Sequence, residues 1–354
     1  MSIKILTILG TRPEIIRLSE IIKKLDSILG DNHVLVHFGQ NFTDNMSQVF
    51  FDELGLRPPN FYFGVDTSSL GCQLADGFRG VEKVIKERRP NKCLVLGDTN
   101  TSLSAVLVER MGVPVYHMEA GNRCFDKEVP EEINRRIVDH AVSYNLPYIE
   151  RSRENLLREG LLPQNIIKCG NPIFEVMHRV IGTADFMSRP KAPPGSILVT
   201  CHRTETVDNR DRFASVVSAL NHLSERYNII YPVHPKTRQR ISEYGLTLRF
   251  EPLDPIGIFD FYSKLISVDM IITDSGIVQE EACIMHKPCV TIRKTTERPE
   301  TVECGSNIVA GVNYDNILNA VNYFSSNINW VIPDGYEISN VSDVVSRILL
   351  GEHV

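Results

Sequence analysis

Short apolar segments recur along the chain, each followed by a polar turn and then by residues with helical periodicity. The first, Ile3–Leu9, is an almost unbroken apolar run that ends at Gly10, which is typical of a parallel strand buried on both faces. From Ile15 to Leu25 apolar residues then recur at the three- and four-residue spacing of a buried helix face. The same alternation predicts strands at Asn32–Phe38, Lys92–Leu96, Val113–Met118, Tyr144–Leu146 and Ile166–Lys168, and helices at Asn45–Leu54, Leu70–Arg88, Thr101–Arg110, Glu131–His140 and Ser152–Glu159.

A second alternation follows residues 182–195, a segment rich in Gly, Pro, Ser and Ala that we predict to be a linker. It predicts strands at Ser196–Thr200, Asn228–Val233, Leu246–Glu251, Met270–Thr273, Pro288–Ile292 and Asn307–Val309, and helices at Arg212–Arg226, Lys236–Tyr244, Ile256–Ile266, Val278–Met285, Tyr314–Phe324 and Val341–Leu350. Strand and helix alternate in both halves, so we expect an α/β fold of two doubly wound Rossmann-like domains with a cleft between them.

Composition narrows the function classes. The net charge of the 354-residue chain is −6, which favours neither a nucleic acid nor an anionic membrane as a partner. No apolar run reaches the ~18 residues that a membrane span needs, and Met1–Leu6 enters a strand directly rather than forming a secretory signal. The eight cysteines are scattered without a C-x-x-C pair, so we expect free thiols and a cytoplasmic protein.

Polar residues cluster where predicted strands end, which is where α/β proteins place their chemistry. Gly10–Glu14 follows the first strand, and Arg12 there could help a helix N-terminus to hold an anion, or could be an exposed side chain in a plain turn. After the third strand, Asp98 or Thr99 could react or, more simply, cap a helix. His202 follows the first strand of the second half, where a lone histidine is more often structural than catalytic.

The stretch from His117 to His140 contains the densest set of charges. Glu119 ends a strand beside Ala120-Gly121, which suggests close packing or close approach of a ligand. Glu131 and Glu132 begin the next helix, where they could react or simply interact favourably with the helix dipole. On the sequence alone, Glu132, Arg135 and Arg136 are interpreted as helix charges.

Two later loops suit a nucleotide. Asp274–Gly276 precedes a helix that carries Gln279–Glu281, so backbone N–H groups could bind phosphate and a carboxylate could accept from ribose hydroxyls. Thr295–Glu300 adds an arginine and hydroxyl groups. A capping box or a charged loop would give the same pattern. No histidine pair has metal-ligand spacing and no G-x-S-x-G is present, so neither a metal site nor a serine nucleophile is expected.

Taken together and in order, these loops resemble the non-hydrolysing UDP-N-acetylglucosamine 2-epimerase family over nearly the whole chain, from Gly10–Glu14 to Thr296–Glu300. The resemblance implies the glycosyltransferase-B-like architecture, a homodimer, a UDP-linked N-acetylated sugar as ligand, and no cofactor or metal. It implies domains at residues 1–172 and 173–336, and a C-terminal helix within 337–354 that packs back on the first domain. The reaction it implies eliminates UDP and adds it back, inverting C2 of the sugar.

The family's functional residues can be placed on this chain by the matching motifs. The resemblance assigns catalytic roles to Asp98, Glu119, Glu131 and His202, and substrate binding to Arg12, Arg17, Arg123, His234, Ser275, Gly276, Glu281 and Arg298. Arg17 stands where the family usually has lysine, and Arg is not an equivalent donor. Ile277 replaces the second glycine of D-S-G-G, and Cys201–Glu205 replaces G-H-R-R-E. Gly39–Thr43 departs from the G/A-Q-H stretch, so the allosteric UDP-sugar site of many members is not expected.

The segment after Glu119 differs most from the common members. It reads Asn122-Arg123-Cys124-Phe125-Asp126, then Val129-Pro130-Glu131-Glu132, where common members read L-R-T and a longer insertion before P-E-E. This form resembles the branch that makes UDP-N-acetyl-L-fucosamine from UDP-2-acetamido-2,6-dideoxy-L-talose for capsule or O-antigen, and Asn122–Val129 is predicted to select the sugar. The alternatives are epimerisation of UDP-GlcNAc to UDP-ManNAc, a retaining glycosyltransferase, and a non-catalytic sugar-nucleotide sensor.

Overall fold

The computed structural model describes residues 3–39, 44–325 and 329–352, with only the backbone of residues 44–47. Residues 40–43, where the sequence departs from the G/A-Q-H stretch, lie outside this description. The chain divides into two compact units: unit 1 comprises residues 1–178 and 334–354, and unit 2 comprises residues 179–333. The sequence placed these boundaries at 172/173 and 336/337.

Unit 1 is built on a parallel sheet of six described strands in the order β3-β2-β1-β4-β5-β6. The strands are β1 (Ile5–Leu9), β2 (His33–His37), β3 (Phe61–Tyr62), β4 (Lys92–Leu96), β5 (Val115–Met118) and β6 (Tyr144–Leu146). All five residues of β1 are buried, as the unbroken apolar run predicts for a strand covered on both faces. Ile5 lies opposite His33 on one side and Lys92 on the other, which places the central strand between β2 and β4.

Helices cover the faces of this sheet. They are α1 (Arg12–Leu29), α2 (Asp44–Glu53), α3 (Leu70–Arg88), α4 (Ser104–Arg110), α5 (Pro130–Ala141), α6 (Glu150–Arg158), α7 (Ile173–Ile181), which runs across the unit boundary, and α16 (Val341–Leu350). The C-terminal α16 packs against α1, where Lys24 Nζ lies 2.7 Å from an Asp343 carboxylate oxygen.

The described part of unit 2 contains a second parallel sheet, in the order β11-β10-β9-β7-β8. Its strands are β7 (Ser196–Thr200), β8 (Asn228–Ile230), β9 (Met270–Thr273), β10 (Cys289–Thr291) and β11 (Asn307–Val309). Its helices are α8 (Ala184–Met187), α9 (Thr204–Val207), α10 (Arg210–Leu223), α11 (Pro235–Glu243), α12 (Ile258–Ser267), α13 (Gly276–Ile284), α14 (Pro299–Glu303) and α15 (Tyr314–Tyr323). Both units are thus parallel-sheet α/β domains, as the alternation of strands and helices predicted.

Each sheet reverses its strand order once. In unit 1 the chain runs outward from β1 to β3 and then restarts at β4 on the other side of β1. In unit 2 it runs from β7 to β8 and restarts at β9 beside β7. Ligands of open parallel sheets bind beyond the carboxyl ends of the strands at such switch points. The loops after β1 and β4, and those after β7 and β9, therefore lie where a ligand site is expected.

Three element predictions were wrong. Ile166–Lys168 is not a strand, and only an isolated bridge joins Asn145 to Ile166. Leu246–Glu251 is also not a strand, since the chain contributes only a bridge between Pro232 and Leu253. Residues 182–195 lie inside unit 2 and include the short helix α8, so they do not link the two units. Apolar residues in these segments pack against the core without joining a ladder, which periodicity alone cannot distinguish from a strand.

Among the described residues, no helix is long and apolar enough to cross a membrane. All eight cysteines are free thiols, as the sequence predicted.

Candidate active site

The buried carboxylate of Glu14 joins the ends of β1 and β4 at the switch point of unit 1. Glu14 stands in the first turn of α1 and is 2% exposed. It accepts the backbone N–H of Gly10 at 2.5 Å, the backbone N–H of Thr11 at 3.0 Å and the hydroxyl of Thr99 at 2.5 Å. At Gly10 an added Cβ would lie 2.2 Å from the Thr101 Oγ1 atom, so only glycine fits this turn.

Burial raises the pKa of Glu14 to about 7, and the negative charge of Asp98 acts in the same direction. The three hydrogen bonds that Glu14 accepts lower its pKa but do not outweigh burial. A carboxyl group that titrates near neutral pH beside another carboxylate is a common feature of acid–base sites. Sequence reasoning missed Glu14. The T-x-x-E pattern of Thr11–Glu14 before an apolar run could have identified it as a capping residue, but not as part of the site.

Asp98, at the end of β4, is bound by a buried arginine. Arg135 of α5 donates to the same Asp98 oxygen through Nη2 at 2.5 Å and Nε at 3.2 Å. Through Nη1 it also donates to Glu132 at 2.9 Å. The interpretation of Glu132 and Arg135 as helix charges was therefore wrong, because both side chains are buried and hold Asp98 in place. The suggested capping role of Asp98 or Thr99 was also wrong, because α4 begins only at Ser104.

Glu119 follows β5 in a backbone conformation that is uncommon for an L residue, with φ at +66°. Its carboxylate, with 10% of the side chain exposed, forms an ion pair with the buried guanidinium of Arg17 from α1. Arg17 also lies over the ring of Tyr148, 5.6 Å from its centroid. Burial raises the pKa of Tyr148 well above its usual value, so this phenol remains neutral beside the ion pair. A strained backbone and a buried ion pair at the end of a strand are typical of a functional residue.

The remaining predicted residues of unit 1 have different environments. Glu131 is half-buried in the first turn of α5, and Arg12 is half-buried at the start of α1 with its guanidinium 5.6 Å from the Phe50 ring centroid. Arg123 points inward, where it pairs with Asp139 at 2.8 Å and with Glu159 at 2.5 Å. Contact between Arg123 and a substrate would require these buried pairs to break, so its predicted binding role stays a prediction.

Asp274 of unit 2 is the counterpart of Glu14, because it joins the ends of β9 and β7 at the second switch point. It is fully buried, and its Oδ2 accepts the backbone N–H groups of His202 at 2.7 Å and Arg203 at 2.8 Å. The His202 Nδ1 atom lies 3.4 Å from the other Asp274 oxygen. Asp274 thus fixes the backbone at His202, while 39% of the His202 side chain stays exposed. The sequence indicated the loop but not this role for Asp274.

The N-terminus of α13 is tightly packed. Ser275 is its N-cap residue and donates its backbone N–H to the Thr273 hydroxyl at 2.9 Å. At Gly276 an added Cβ would lie 2.5 Å from a Glu297 carboxylate oxygen. The backbone there lies so close to Glu297 that only glycine fits without a shift. Glu297 in turn forms an ion pair with Arg293 at 2.7 Å and lies 3.6 Å from Arg203. This turn presents backbone N–H groups and arginines, which suit a phosphate group.

Three further predicted residues lie on the elements around this turn. Glu281, buried on α13, accepts the hydroxyl of Tyr262 at 2.8 Å. Arg298 is buried and forms an ion pair with Glu280, also on α13. His234 is exposed at the N-terminus of α11, where its ring accepts the backbone N–H of Lys236 at 3.3 Å. Glu281 lies on α13 and Arg298 contacts it, whereas His234 lies in the loop after β8, the edge strand that pairs with β7.

The predicted residues thus fall into two groups. In unit 1, the carboxylates of Asp98 and Glu119 follow neighbouring strands and each contacts a buried arginine, with Glu14 between β1 and β4. In unit 2, His202 and the Ser275–Gly276 turn follow the neighbouring strands β7 and β9. Carboxylates of the first kind can take up and release protons, and the N–H groups at the start of α13 in the second group suit a phosphate.

Known proteins of similar sequence and structure identify the family of this chain. The sequence model of a family described as UDP-N-acetylglucosamine 2-epimerase matches residues 24–336. A UDP-N-acetylglucosamine 2-epimerase of Methanococcus maripaludis is 37% identical over 99% of each chain. A UDP-2,3-diacetamido-2,3-dideoxy-D-glucuronate 2-epimerase of Pseudomonas aeruginosa is 34% identical over 98% of each chain.

Among solved structures, the UDP-GlcNAc 2-epimerase of Methanocaldococcus jannaschii in complex with UDP-GlcNAc and UDP superimposes with a TM-score of 0.91 at 34% identity, covering 98% of this chain and 99% of that one. A UDP-N-acetylglucosamine 2-epimerase from Rickettsia bellii gives 0.88 at 33% identity, covering 99% and 96%. The chain therefore belongs to the UDP-N-acetylglucosamine 2-epimerase family, and it is an isomerase.

Proposed function

We propose that this chain interconverts UDP-GlcNAc and UDP-ManNAc by epimerisation at C2 without net hydrolysis. The observation that carries the proposal is the pair of arginine-bound carboxylates, Asp98 and Glu119, at the carboxyl ends of neighbouring strands beside Glu14. Similar proteins named for this reaction, including one solved with UDP-GlcNAc and UDP, support the substrate.

The reaction is an elimination followed by re-addition. A carboxylate takes the C2 proton, the C–H electron pair forms a C1–C2 double bond, and UDP leaves C1 with the electrons of the C1–O bond. A proton returned to C2 from the opposite face, with UDP adding back to C1, gives the epimer. Two proton-transferring groups on opposite faces of the ring are therefore required, and no net oxidation occurs.

The carboxylates of unit 1 supply the proton transfers. Glu119, paired with Arg17, and Asp98, paired with Arg135, are held as oriented anions. Glu131, in the first turn of α5, completes the set that the resemblance assigns. Glu14 titrates near neutral pH and can hold a proton beside Asp98 while the reaction proceeds.

The residues of unit 2 hold UDP. The Ser275–Gly276 turn at the start of α13 and the nearby Arg298 suit the diphosphate, and the carboxylate of Glu281 suits the ribose hydroxyls. His202, fixed by Asp274, can donate to the phosphate that leaves C1. Arg12, Arg17 and Arg123 from unit 1 and His234 from unit 2 are further proposed substrate contacts.

A second candidate substrate is UDP-2-acetamido-2,6-dideoxy-L-talose, which would give UDP-N-acetyl-L-fucosamine. Phe125 favours it. This side chain is 68% exposed, and its backbone has φ at +57°. Asn122, by contrast, is buried and accepts the hydroxyl of Ser152 at 2.7 Å. An exposed aromatic ring in the segment after Glu119 suits the apolar methyl group of a 6-deoxy sugar.

Incubating the purified protein with each UDP-sugar separately and identifying products by NMR distinguishes the two substrates. We expect UDP-ManNAc from UDP-GlcNAc at a rate at least ~10-fold above that of the L-sugar. The reverse ranking, with the L-sugar reaction lost in Phe125→Ala but kept in the exposed aromatic control Tyr323→Ala, would establish the second candidate. Release of free sugar or transfer to an acceptor without epimerisation would contradict both.

We also propose a cytoplasmic homodimer that supplies an activated sugar for surface polysaccharide such as capsule or O-antigen. The free thiols support a cytoplasmic location, because thiols stay reduced in the cytoplasm. Ile133 and Ile137, 50% and 46% exposed and one helical turn apart on α5, provide an apolar surface suited to a second copy. Light scattering of the protein and of an Ile133→Lys, Ile137→Lys variant tests the assembly, since a dimeric wild type and a monomeric variant are expected.

A further inference from the structure

One buried carboxylate contacts the chain on both sides of Glu119. Asp139, on α5, is 1% exposed. Its Oδ1 atom lies 2.9 Å from Nδ1 of His117, and its Oδ2 atom accepts the backbone N–H of Gly121 at 3.1 Å. His117 precedes Glu119 by two residues and Gly121 follows it by two. A single carboxylate on another element thus fixes both ends of the segment that has Glu119 at its centre.

That segment has an unusual backbone conformation. Glu119 has φ at +66° and Gly121 has φ at +80°. For a glutamate this region is rarely populated, and such a conformation persists only where the surrounding structure fixes it. Besides Asp139, the side-chain amide of Asn155 donates to the Gly121 carbonyl at 3.0 Å. The two bonds to Asp139 are therefore a physical cause of the turn that directs Glu119 toward Arg17.

The second ring nitrogen of His117 reaches the neighbouring strand end. Its Nε2 atom lies 2.7 Å from the carbonyl oxygen of Gly97, the residue before Asp98. A carbonyl oxygen only accepts, so Nε2 must carry a hydrogen. Burial raises the pKa of Asp139, but the hydrogen bond and charge of His117, with those of Arg123, outweigh burial and lower it. Arg123 Nη1 lies 2.8 Å from Asp139 Oδ2, which favours Asp139 as an anion that only accepts, so the geometry places a hydrogen on Nδ1 too.

The charges around this group balance. Arg123 lies 2.8 Å from the buried Asp139 and 2.5 Å from the half-buried Glu159, so one arginine faces two carboxylates and a second positive charge, on His117, would balance them. Such a cluster is stable only when each charge is paired, which favours the doubly protonated ring.

We propose that Asp139 and a protonated His117 are a positioning pair that holds the backbone of Glu119 and of Asp98 in the geometry needed for the reaction. The inference rests on the proposed function for its kinetic consequence. His117 is fully buried, so the pair acts through the strand ends and not by contact with substrate. His117 stands two residues before Glu119 and bonds to the carbonyl of the residue before Asp98, so it connects the two strand ends that carry these carboxylates.

The first test is a spectroscopic signature in the wild-type protein. Nitrogen-15 NMR of histidine-labelled protein at neutral pH, with His117 assigned by comparison with His117→Asn, should show both ring nitrogens bonded to hydrogen. A neutral single tautomer at His117 would overturn the assignment of the pair.

The second test is Asp139→Asn, with Asp26→Asn as the matched control. Asp26 also bridges a buried histidine and an arginine in unit 1, at 2.6 Å from His33 Nδ1 and 3.0 Å from Arg57 Nε, but it does so where β2 begins. We expect Asp139→Asn to lower kcat about 100-fold with KM changed less than about 3-fold, since a displacement near 1 Å has effects of this size. We expect Asp26→Asn to keep kcat within about 2-fold. Equal losses in both variants, or unchanged kcat in Asp139→Asn, would overturn the proposal.

Two further readouts keep the proposal testable if that variant does not fold or the wild type is inactive. His117→Asn keeps a donor near Asp139 but loses the bond to Gly97, and it should lower kcat about 10-fold or more; wild-type kcat would contradict the proposal. A crystal structure of Asp139→Asn, or of His117→Asn in its place, should show residues 119–121 displaced, and an unchanged Glu119 turn would contradict it without any activity measurement. Absence of epimerisation by the wild type would refute only the proposed function.

Discussion

The hydroxyl of Thr99 donates to the buried carboxylate of Glu14 at 2.5 Å, joining the loop after β4 to the first turn after β1. The contact spans the point where the strand order of unit 1 reverses. In unit 2, Asp274 forms the equivalent link by accepting from His202 and Arg203 across the second reversal. Each unit thus has one buried carboxylate that links two strand ends at its switch point.

Glu14→Gln should change how stability depends on pH. Folding raises the pKa of Glu14 from 4.5 to about 7. The proton is held more tightly in the folded state, so its contribution to the free energy of unfolding is fully present below pH 4.5 and is lost as the pH rises through about 7. The loss is about 3 kcal/mol. Urea unfolding at several pH values should therefore show the wild type losing stability relative to Glu14→Gln over this window.

The matched control is Glu175→Gln. Glu175 is also buried in unit 1 and accepts two hydrogen bonds from Ser342, at 2.8 and 2.5 Å, but it joins α7 to α16. Glu14→Gln should alter the pH profile of kcat/KM and Glu175→Gln should leave that profile as in the wild type. A difference in stability between wild type and Glu14→Gln that stays constant from pH 4 to 8 would show that Glu14 does not titrate there.

Arg135→Leu should destabilise unit 1 and abolish most activity. It removes the buried cation that contacts both Asp98 and Glu132, and removing one partner of a buried ion pair costs about 3–5 kcal/mol. Arg136→Leu is the control, because Arg136 is the next residue and also pairs with Glu132, at 3.1 Å, while 42% of its side chain is exposed. Its loss should cost under about 1 kcal/mol. Comparable unfolding free energies for the two variants would contradict the assigned role of Arg135.

Gly276→Ala should weaken UDP binding while leaving the fold intact. The added methyl group would lie 2.5 Å from the Glu297 oxygen, so Glu297 or the turn must shift. A shift of the turn would move the N–H groups at the start of α13, and we expect affinity for UDP to fall about 10- to 100-fold by calorimetry. Gly71→Ala is the control, because the nearest atom to its added Cβ is 3.9 Å away. Wild-type affinity in Gly276→Ala would place the diphosphate elsewhere.

The sequence predicted the sheets well because buried parallel strands are continuous apolar runs. Lys92–Leu96, Ser196–Thr200 and Met270–Thr273 are strands with the predicted limits. It predicted a false strand at Leu246–Glu251, where the apolar side chains pack against the unit 2 core without ladder bonds. A local pattern of apolar residues indicates that a segment is buried, but it does not show whether the segment pairs with a distant strand.

For the proposed site, the sequence identified the loops but not the residues that hold them. Asp98 and Glu119 were identified because they stand at strand ends. Arg135 was interpreted as a helix charge and Asp139 was not singled out, since no local signal shows that the helix turns these side chains inward to contacts 37 and 22 residues away. Glu14 has the T-x-x-E pattern of a capping box, which gives no sign of its contact with Thr99. Its raised pKa depends on burial and on Asp98, which only the fold brings near.

The most direct test of the central claim is proton exchange at C2 in D₂O. Wild-type protein incubated with UDP-GlcNAc should incorporate deuterium at C2 of the sugar as UDP-ManNAc forms, observed by NMR and mass spectrometry. Asp98→Asn, Glu119→Gln and Glu131→Gln should each lower the exchange rate by about 100-fold or more, while the exposed control Glu243→Gln on α11 keeps it. Epimerisation without deuterium at C2, or unchanged exchange in all three carboxylate variants, would contradict the proposed mechanism.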